Sequence, residues 1–185
     1  MQVTVTEAAR RTQIVAAAIE VIAELGYAKT SYARIVEHAG LSSTRLISYH
    51  FRDKDDLMMA VLVTALGSAD EVLEARIADE TDRVGLLRAY IGTRVDLLRT
   101  HPRELRAIAE VAEHQRGFAP VLRDFRVGRL ERQLRQGQRE GVFGEFDPAV
   151  MAAAISSAVD GADRSGIDLA EYGAGLTDLF IRACT

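Results

Sequence analysis

Two clusters of hydroxyl and cationic side chains lie close together in the N-terminal third of the chain. The first cluster contains Lys29, Thr30 and Ser31, and the second contains Ser43, Thr44, Arg45, Ser48, Tyr49, His50 and Lys54. Hydroxyls and cations hydrogen-bond phosphate oxygens, and the planar guanidinium of arginine also matches the two acceptors on the major-groove edge of guanine. These residue types indicate contacts with nucleic acid rather than catalysis.

The residues between the clusters predict the helices that would position them. Thr30 or Ser31 can cap a helix ending near residue 38, because a hydroxyl there accepts a backbone N–H that has no partner inside the helix. Ala39 and Gly40 then supply a small side chain where two helices come close and a residue that tolerates a left-handed turn. Leu41 is expected to close the turn against the core. This pattern predicts a helix-turn-helix.

The second helix of this motif is predicted to span about 43–51, with Ser42 or Ser43 as its cap. In a helix-turn-helix, this helix enters the major groove and the exposed residues of its first turns contact the bases. Arg45 is the candidate for a bidentate contact with guanine. Weaker hydroxyl contacts are expected from Ser43, Thr44 and Ser48.

Residues on both sides of this helix are predicted to bind phosphates. Tyr49 and His50 lie at its end, and Lys54 lies in the first turn of the next helix, where free N–H groups already favour an anion. Backbone contacts on the other strand are expected from Lys29, Thr30 and Ser31.

Some of these residues have a plainer interpretation. Arg45 can pair with Asp53 or Asp55 on the protein surface, and His50 can be a packed core residue. The acidic run 53–56 is explained by helix capping and the helix dipole rather than by a metal site.

The run from Gly26 to Leu57 resembles the N-terminal DNA-binding domain of the TetR family of one-component transcriptional regulators. The resemblance rests on the Thr30-Ser31 helix start, the Ala39-Gly40 turn, the sequence Tyr49-His50-Phe51, and Lys54 three residues after that Phe. Two features depart from the family: Ser42-Ser43-Thr44-Arg45 replaces the usual Ser-Lys-Gly type of opening, and the turn is one residue longer than in the commonest pattern. The resemblance implies a three-helix DNA-binding domain over 1–53 and a helical effector-binding and dimerisation domain over 54–185.

Composition bounds the fold class. The chain has 185 residues, of which 48% are hydrophobic and three are proline, and this favours an all-α globular protein. Net charge is −4, but seven Lys or Arg side chains balance seven Asp or Glu side chains within residues 1–56. No apolar run reaches the roughly 18 residues of a membrane helix and no secretory signal is evident, so a cytoplasmic protein without membrane contact is expected. The single cysteine, Cys184, is expected to be structurally neutral.

Apolar periodicity predicts about nine helices. Their approximate bounds are 7–25, 30–38, 43–51, 54–79, 83–100, 103–116, a seventh helix that follows Pro120 and ends near 139, then 148–164 and 168–183. Gly26 is expected to end the first helix, Asp53 to cap the fourth, and His101-Pro102 to end the fifth.

The last two helices are predicted to form a four-helix interface between two subunits, because small residues on them let another helix approach closely. The interface residues expected are Ala154, Ser157, Ala158, Gly161, Leu169, Gly173, Leu176 and Phe180. The alternative is an internal hairpin made by the same two helices.

Arg94 falls on the apolar stripe of the fifth helix, where a cation needs a partner. It can bind an acidic ligand, pair with Glu110 or Glu113, or extend its charged end to solvent. A cavity among helices 4 to 8 is expected to bind a small, partly apolar effector. The candidate contacts are Tyr90, Arg94, His101, Glu110 and His114.

These features predict a dimeric, ligand-responsive repressor that binds a near-palindromic DNA operator and needs no metal or cofactor. The alternative is a helical protein-interaction module without specific DNA binding. An enzyme is disfavoured, because the sequence offers no nucleophile–base set, no metal-spaced His/Cys cluster and no phosphate-binding glycine loop.

Overall fold

The structure is a computed structural model that describes residues 5–185, with side chains from Glu7 onward. All regular elements of this part of the chain are helical, which confirms the predicted fold class. The α-helices are α1 (Val5–Leu25), α2 (Tyr32–His38), α3 (Arg45–His50), α4 (Lys54–Ile77), α5 (Arg83–Thr100), α6 (Pro102–His114), α7 (Ala119–Arg123), α8 (Arg129–Arg139), α9 (Pro148–Asp160) and α10 (Leu169–Cys184).

Short 3₁₀ turns follow several of these helices, at Tyr27–Lys29, Arg116–Phe118 and Ala162–Arg164. A π-helical turn, Asp124–Gly128, joins α7 to α8. If α7, this turn and α8 are taken as one interrupted helix, residues 5–185 contain nine helices, as predicted. None of the described helices is both long and apolar enough to cross a membrane.

Helix ends follow the local chemistry that the sequence predicts. Gly26 follows α1 with φ of +82°, a value that favours glycine. The Asp53 carboxylate accepts the Asp56 N–H at 2.8 Å at the start of α4. Asp82 accepts the Gly85 N–H at 2.8 Å, and α5 then spans the predicted residues. α9 ends at Asp160 rather than near 164, because the chain turns into a 3₁₀ helix.

The chain divides into two compact units. The first unit contains the residues up to Ser68 together with Pro102–Phe118, so it extends beyond the predicted boundary at residue 53 and includes α6. In this unit α1 packs against α2, α3 and α6. The largest fully buried side chains of α1, α2, α3 and the residue after α3 are Ile14, Ile22, Ile35, Ile47 and Phe51.

The second unit contains Ala69–His101 and Ala119–Thr185. Its core forms where α5, α8, α9 and α10 meet, with Ile91, Leu134 and Ile155 fully buried. α10 lies close along α5, since a Cβ added at Gly173 would stand 3.3 Å from a Val95 methyl. Cys184 is buried in this core, and burial raises the pKa of its thiol to about 11, which keeps the thiol protonated and unreactive.

Candidate nucleic-acid interface and ligand-binding body

The turn between α2 and α3 is fixed by backbone and side-chain hydrogen bonds. Gly40 has φ of +63°, which is the left-handed geometry expected of this position. The Leu41 N–H then reaches back to the Val36 carbonyl at 2.9 Å and closes the end of α2. From α1, the Gln13 amide donates to the Ala39 carbonyl at 2.8 Å. The turn therefore holds α2 and α3 in a defined relation within the first unit.

α3 begins at Arg45, two residues later than predicted. The Ser43 hydroxyl accepts the Arg45 N–H at 3.2 Å, and the Leu46 N–H bonds the Ser43 carbonyl, so residues 43 and 44 form the turn that leads into the helix. Ile47 is fully buried and fixes the rotation of α3. Thr44, Arg45 and Ser48 are exposed, while Ser43 is half-buried. Thr44 and Arg45 thus lie at the start of α3, and Ser48 follows one turn later.

Tyr49 and His50, the predicted phosphate contacts at the end of α3, differ in exposure. The Tyr49 side chain is 71% exposed, and its hydroxyl lies 3.0 Å from a Glu7 carboxylate oxygen on α1. That hydrogen bond raises the pKa of Tyr49, so the hydroxyl stays protonated and donates to Glu7. His50 is half-buried, and its carbonyl accepts from the Arg11 guanidinium at 3.0 Å.

Ser31 and Thr30, at the start of α2, differ in burial. Ser31 is exposed and caps α2, accepting the Arg34 N–H at 3.4 Å. Thr30 is only 5% exposed, and its hydroxyl donates to the Gly26 carbonyl at 2.9 Å. This burial contradicts the prediction that the Thr30 side chain holds the DNA backbone, because its one donor is used inside the protein. Lys29 is exposed.

Lys54 lies at the first position of α4, beside an open cleft of about 330 Å³. The cleft is lined by Thr30, Ser31, Tyr32, Ile35, Lys54, Leu57 and Met58. The Lys54 ammonium stands 4.2 Å above the centre of the Tyr27 ring, a cation–π contact. The start of α2 and the start of α4 therefore share one surface, where a phosphate would meet both.

Two further cations of the first unit were not assigned a role from the sequence. Arg52 is 84% exposed, with its nearest carboxylate, that of Asp56, at 3.7 Å. Arg34 is exposed on α2 and donates to the Lys29 carbonyl at 3.1 Å. Their positions in the sequence could have indicated a role, because Arg34 lies three residues after Ser31 and Arg52 lies between His50 and Lys54.

In the second unit, Arg94 is buried, as its place on an apolar stripe predicts. Its side chain is 8% exposed, the nearest carboxylate is that of Asp160 at 4.0 Å, and the Phe125 ring centre lies 5.1 Å away. The predicted pairing with Glu110 or Glu113 is wrong. Arg126, in the π-helical turn, binds the same Asp160 carboxylate, so two guanidinium groups share one anion.

Of the other effector candidates, Tyr90 lies one turn before Arg94 on α5. Tyr90 is buried, with its hydroxyl 3.5 Å from the Arg126 carbonyl, and burial raises the pKa of this phenol. Glu110 and His114 belong to the first unit, and their contacts there are with Tyr27. Pro102 starts a helix that packs on α1, and this carries Glu110 and His114 to that unit. His101 is half-buried, and its Nδ1 lies 2.9 Å from the Thr100 hydroxyl.

A small apolar cavity of about 40 Å³ lies within the second unit. Its lining is Ile77, Arg83, Leu86, Leu87, Tyr90, Arg129, Leu130, Gln133, Leu134 and Phe143, so Tyr90 is the one predicted contact that reaches it. Arg83 makes a bidentate pair with Glu140 at 2.7 and 2.8 Å, and Arg129 binds Asp70 at 3.1 Å and Glu74 at 2.9 Å. The cavity has room for about three waters.

The predicted dimer residues on α9 are more exposed than those on α10. On α9, Ala154 and Ser157 are exposed, and Ala158 and Gly161 are half-buried. On α10, Gly173 and Leu176 are buried inside the subunit, so their assignment to a subunit interface is wrong. Leu169 and Phe180, both half-buried, pack against the same core. The stripe of small and apolar residues on α10 is the face that packs on α5. The same spacing occurs on any well-packed helix face, so it does not by itself identify a subunit interface.

Comparison with known proteins agrees with the predicted identity of the first unit. Residues 14–61 match the family described as "Bacterial regulatory proteins, tetR family". An HTH-type transcriptional repressor of Mycobacterium tuberculosis, Rv1474c, is 28% identical over 83% of this chain and 80% of its own length. The match to the TetR family therefore covers the predicted helix-turn-helix of this chain. The fatty acid metabolism regulator protein of Bacillus subtilis is 30% identical over 46% of the chain and 44% of its own length.

Solved structures of regulators show the same fold as this chain. AibR in complex with isovaleryl coenzyme A and operator DNA superposes with a TM-score of 0.76, at 22% identity, over 92% of this chain and 97% of that one. FadR from Bacillus subtilis in complex with stearoyl-CoA superposes with a TM-score of 0.72, at 20% identity, over 94% and 99%. The matched relatives and structures are transcriptional regulators, which agrees with the predicted function and not with the enzyme alternative.

Proposed function

We propose that the protein is a cytoplasmic repressor that binds a near-palindromic operator as a homodimer and is released by a small-molecule effector. The observation that carries the proposal is the orientation of α3: Ile47 is fully buried, and this leaves Arg45 and Ser48 on the exposed side. A helix held in this way by a buried residue and a tight turn presents its first residues to the major groove.

Base reading is assigned to Arg45, with hydroxyl contacts from Thr44 and Ser48. Arg45 is exposed and makes no ion pair within the described residues, so the proposed pairing with Asp53 or Asp55 does not compete for its guanidinium. Ser43 is the weakest of the four candidates, since its hydroxyl already accepts a backbone N–H.

Phosphate binding is assigned to residues on both sides of α3. Ser31, Lys29 and Lys54 serve one side, and Tyr49 serves the other, with His50 beside it. A phosphate that binds the exposed Tyr49 hydroxyl replaces its hydrogen bond to Glu7. Arg34 and Arg52 add exposed positive charge. Such contacts orient the protein on DNA without selecting a sequence.

Dimerisation is assigned to the exposed faces of α9 and α10. Val150 is 65% exposed and Leu179 is 61% exposed, although both are large and apolar. Several exposed residues on the same two helices are small and allow close approach of another helix, namely Ala153, Ala154, Ser157, Gly175 and Ala183. A two-fold dimer would place its recognition helices about 34–36 Å apart, or a multiple of that distance.

For the effector we propose an acyl thioester, which combines an apolar chain with an anionic carrier. Two structures of the same fold hold acyl-coenzyme A ligands, and a relative is named for fatty acid metabolism. The apolar walls of the second unit's cavity suit an acyl chain, and the rim arginines Arg83 and Arg129 suit an anion. Because the cavity is only about 40 Å³, binding requires the second unit to widen, and this gives the ligand different affinities for two conformations.

The DNA-binding proposal is tested by fluorescence anisotropy with DNA that flanks the protein's own gene, at several salt concentrations. We expect one DNA segment to bind far more tightly than unrelated DNA, and the logarithm of the affinity to fall linearly with the logarithm of salt concentration. Equal binding to all sequences, or none, would favour the alternative of a protein-interaction module.

The effector proposal is tested with isovaleryl-CoA and stearoyl-CoA, using free coenzyme A as the control. A thioester present at 100 times its Kd should stabilise the protein by about 2.7 kcal/mol, seen as a raised melting temperature, and should release the bound operator. If neither thioester changes the melting temperature or the operator affinity, this effector class is wrong.

A further inference from the structure

Lys54 makes no ion pair within the described residues, although Asp53, Asp55 and Asp56 surround it in sequence. Each of these carboxylates has another partner. Asp53 accepts the Asp56 N–H at 2.8 Å, and Asp56 accepts the Arg52 N–H at 3.1 Å. Asp55 accepts from the Gln115 amide at 2.8 Å. The positive charge of Lys54 is therefore left available to an anion outside the protein.

Tyr27 is the group that Lys54 contacts instead. The Lys54 ammonium stands 4.2 Å from the centre of the Tyr27 ring. An aromatic face attracts a cation without neutralising it, so the ammonium keeps its charge and its three donors. The contact also restricts a flexible four-carbon side chain before DNA arrives, which reduces the entropy lost on binding.

Tyr27 is itself held by α6 and the residue after it. The Tyr27 N–H donates to a Glu110 carboxylate oxygen at 2.8 Å, and the ring stacks on the His114 ring with centroids 4.6 Å apart. The Gln115 amide nitrogen donates to the Tyr27 hydroxyl at 2.7 Å. The backbone, ring and hydroxyl of Tyr27 thus each have a partner.

We propose that Tyr27 is a positioning residue that holds Lys54 ready for a phosphate, and that Gln115 supports it by keeping Asp55 away from Lys54. This inference rests on the proposed phosphate contact of Lys54. It assigns a DNA-binding role to Glu110, His114 and Gln115, which act through Tyr27 rather than by touching DNA. Two of these three were predicted to bind an effector.

The test is a double-mutant cycle on the full chain, measured as operator affinity by fluorescence anisotropy over a range of salt. Lys54→Met should weaken binding to all sequences and reduce the salt slope by about one. Tyr27→Leu should weaken operator binding about two- to fivefold when Lys54 is present, as expected from the loss of a cation–π contact. Tyr27→Leu should have no further effect in the Lys54→Met background.

Tyr27→Phe is the matched control, since it keeps the aromatic ring and should retain most of the affinity. Gln115→Leu is a second route if Tyr27→Leu does not fold, as judged by its melting curve. Freed from Gln115, Asp55 can pair with Lys54, so this change should weaken binding only when Lys54 is present.

The outcomes separate the two proposals. If Lys54→Met leaves affinity and salt slope unchanged, the phosphate contact is wrong, and the role of Tyr27 is overturned with it. If Lys54→Met weakens binding but Tyr27→Leu and Gln115→Leu weaken it equally in both backgrounds, the phosphate contact stands and the positioning role is overturned.

Discussion

Arg45 in the first unit and Arg94 in the second are both helical arginines, yet their surroundings differ. Arg45 is exposed on α3 and has no ion-pair partner among the described residues. Arg94 is buried on α5, between the Asp160 carboxylate and the Phe125 ring. The tyrosines repeat the contrast, since Tyr49 is 71% exposed and Tyr90 is buried.

This contrast shows how one chain can serve two kinds of binding. Exposed donors of the first unit are already in place for a charged partner outside the protein, so binding needs little rearrangement there. The second unit neutralises its own cations, through Asp160 for Arg94 and Arg126, and through Glu140 for Arg83. A ligand in the second unit must replace such internal contacts, and that replacement links its binding to a change of conformation.

The largest effect is expected from removing the shared anion of the second unit. Asp160→Ala leaves the buried guanidinium of Arg94 without a carboxylate, which should lower the free energy of unfolding by about 2–4 kcal/mol. This range lies at the lower end for buried pairs, because the Asp160 side chain is 33% exposed. Urea denaturation measures the change, with the exposed Asp163→Ala as the control. Equal stability of the two variants would show that Arg94 is solvated.

Arg45→Ala tests whether the exposed arginine of the first unit reads a base. It should cost about 1–3 kcal/mol of operator affinity and relax the preference at one base pair, because the bidentate contact is lost. Competition titrations with operators substituted at each position measure this. Arg52→Ala, an exposed cation outside α3, should instead weaken all sequences alike. A uniform loss for Arg45→Ala would remove its base-reading role.

Thr30→Val tests whether the Thr30 hydroxyl stabilises the fold rather than binding a phosphate. Removing the buried hydroxyl, which donates to the Gly26 carbonyl, should lower stability by about 1 kcal/mol and leave the salt slope of operator binding unchanged. Ser31→Ala removes the α2 cap at a similar cost of about 1 kcal/mol and should also weaken operator binding. A reduced salt slope for Thr30→Val would restore the predicted phosphate contact.

The smallest effect is expected for the pH dependence of the stability that the surface ion pair of Arg83 and Glu140 contributes. Arg83 and Gln136 hold the pKa of Glu140 well below its ordinary value of 4.5, at about 2. Because the pKa is lowered on folding, Glu140 stabilises the protein above about pH 4.5, and this contribution is lost as pH falls towards 2. The stability difference between the natural chain and Glu140→Gln should therefore shrink across this range. Glu145→Gln, which removes an exposed carboxylate that makes no ion pair within the described residues, is the control.

Local sequence predicted most helices and helix ends. Gly40 supplies the left-handed turn, Asp53 caps α4 and α5 has its predicted bounds, because these features depend on neighbours within a few residues. The two-residue error at the start of α3 has a local cause too. Several hydroxyls in a row offered alternative caps, and Ser43 bonds Arg45 in a turn that precedes the helix.

The sequence by itself determined that this protein is helical, that it carries a helix-turn-helix, and which residue types are available to bind DNA. Only the tertiary structure decided which face of α10 is covered, which carboxylate Arg94 meets, and that Glu110 and His114 support Tyr27. The physical reason is that apolar spacing shows that a face is buried but not what buries it. A partner distant in the chain is chosen by how the helices pack.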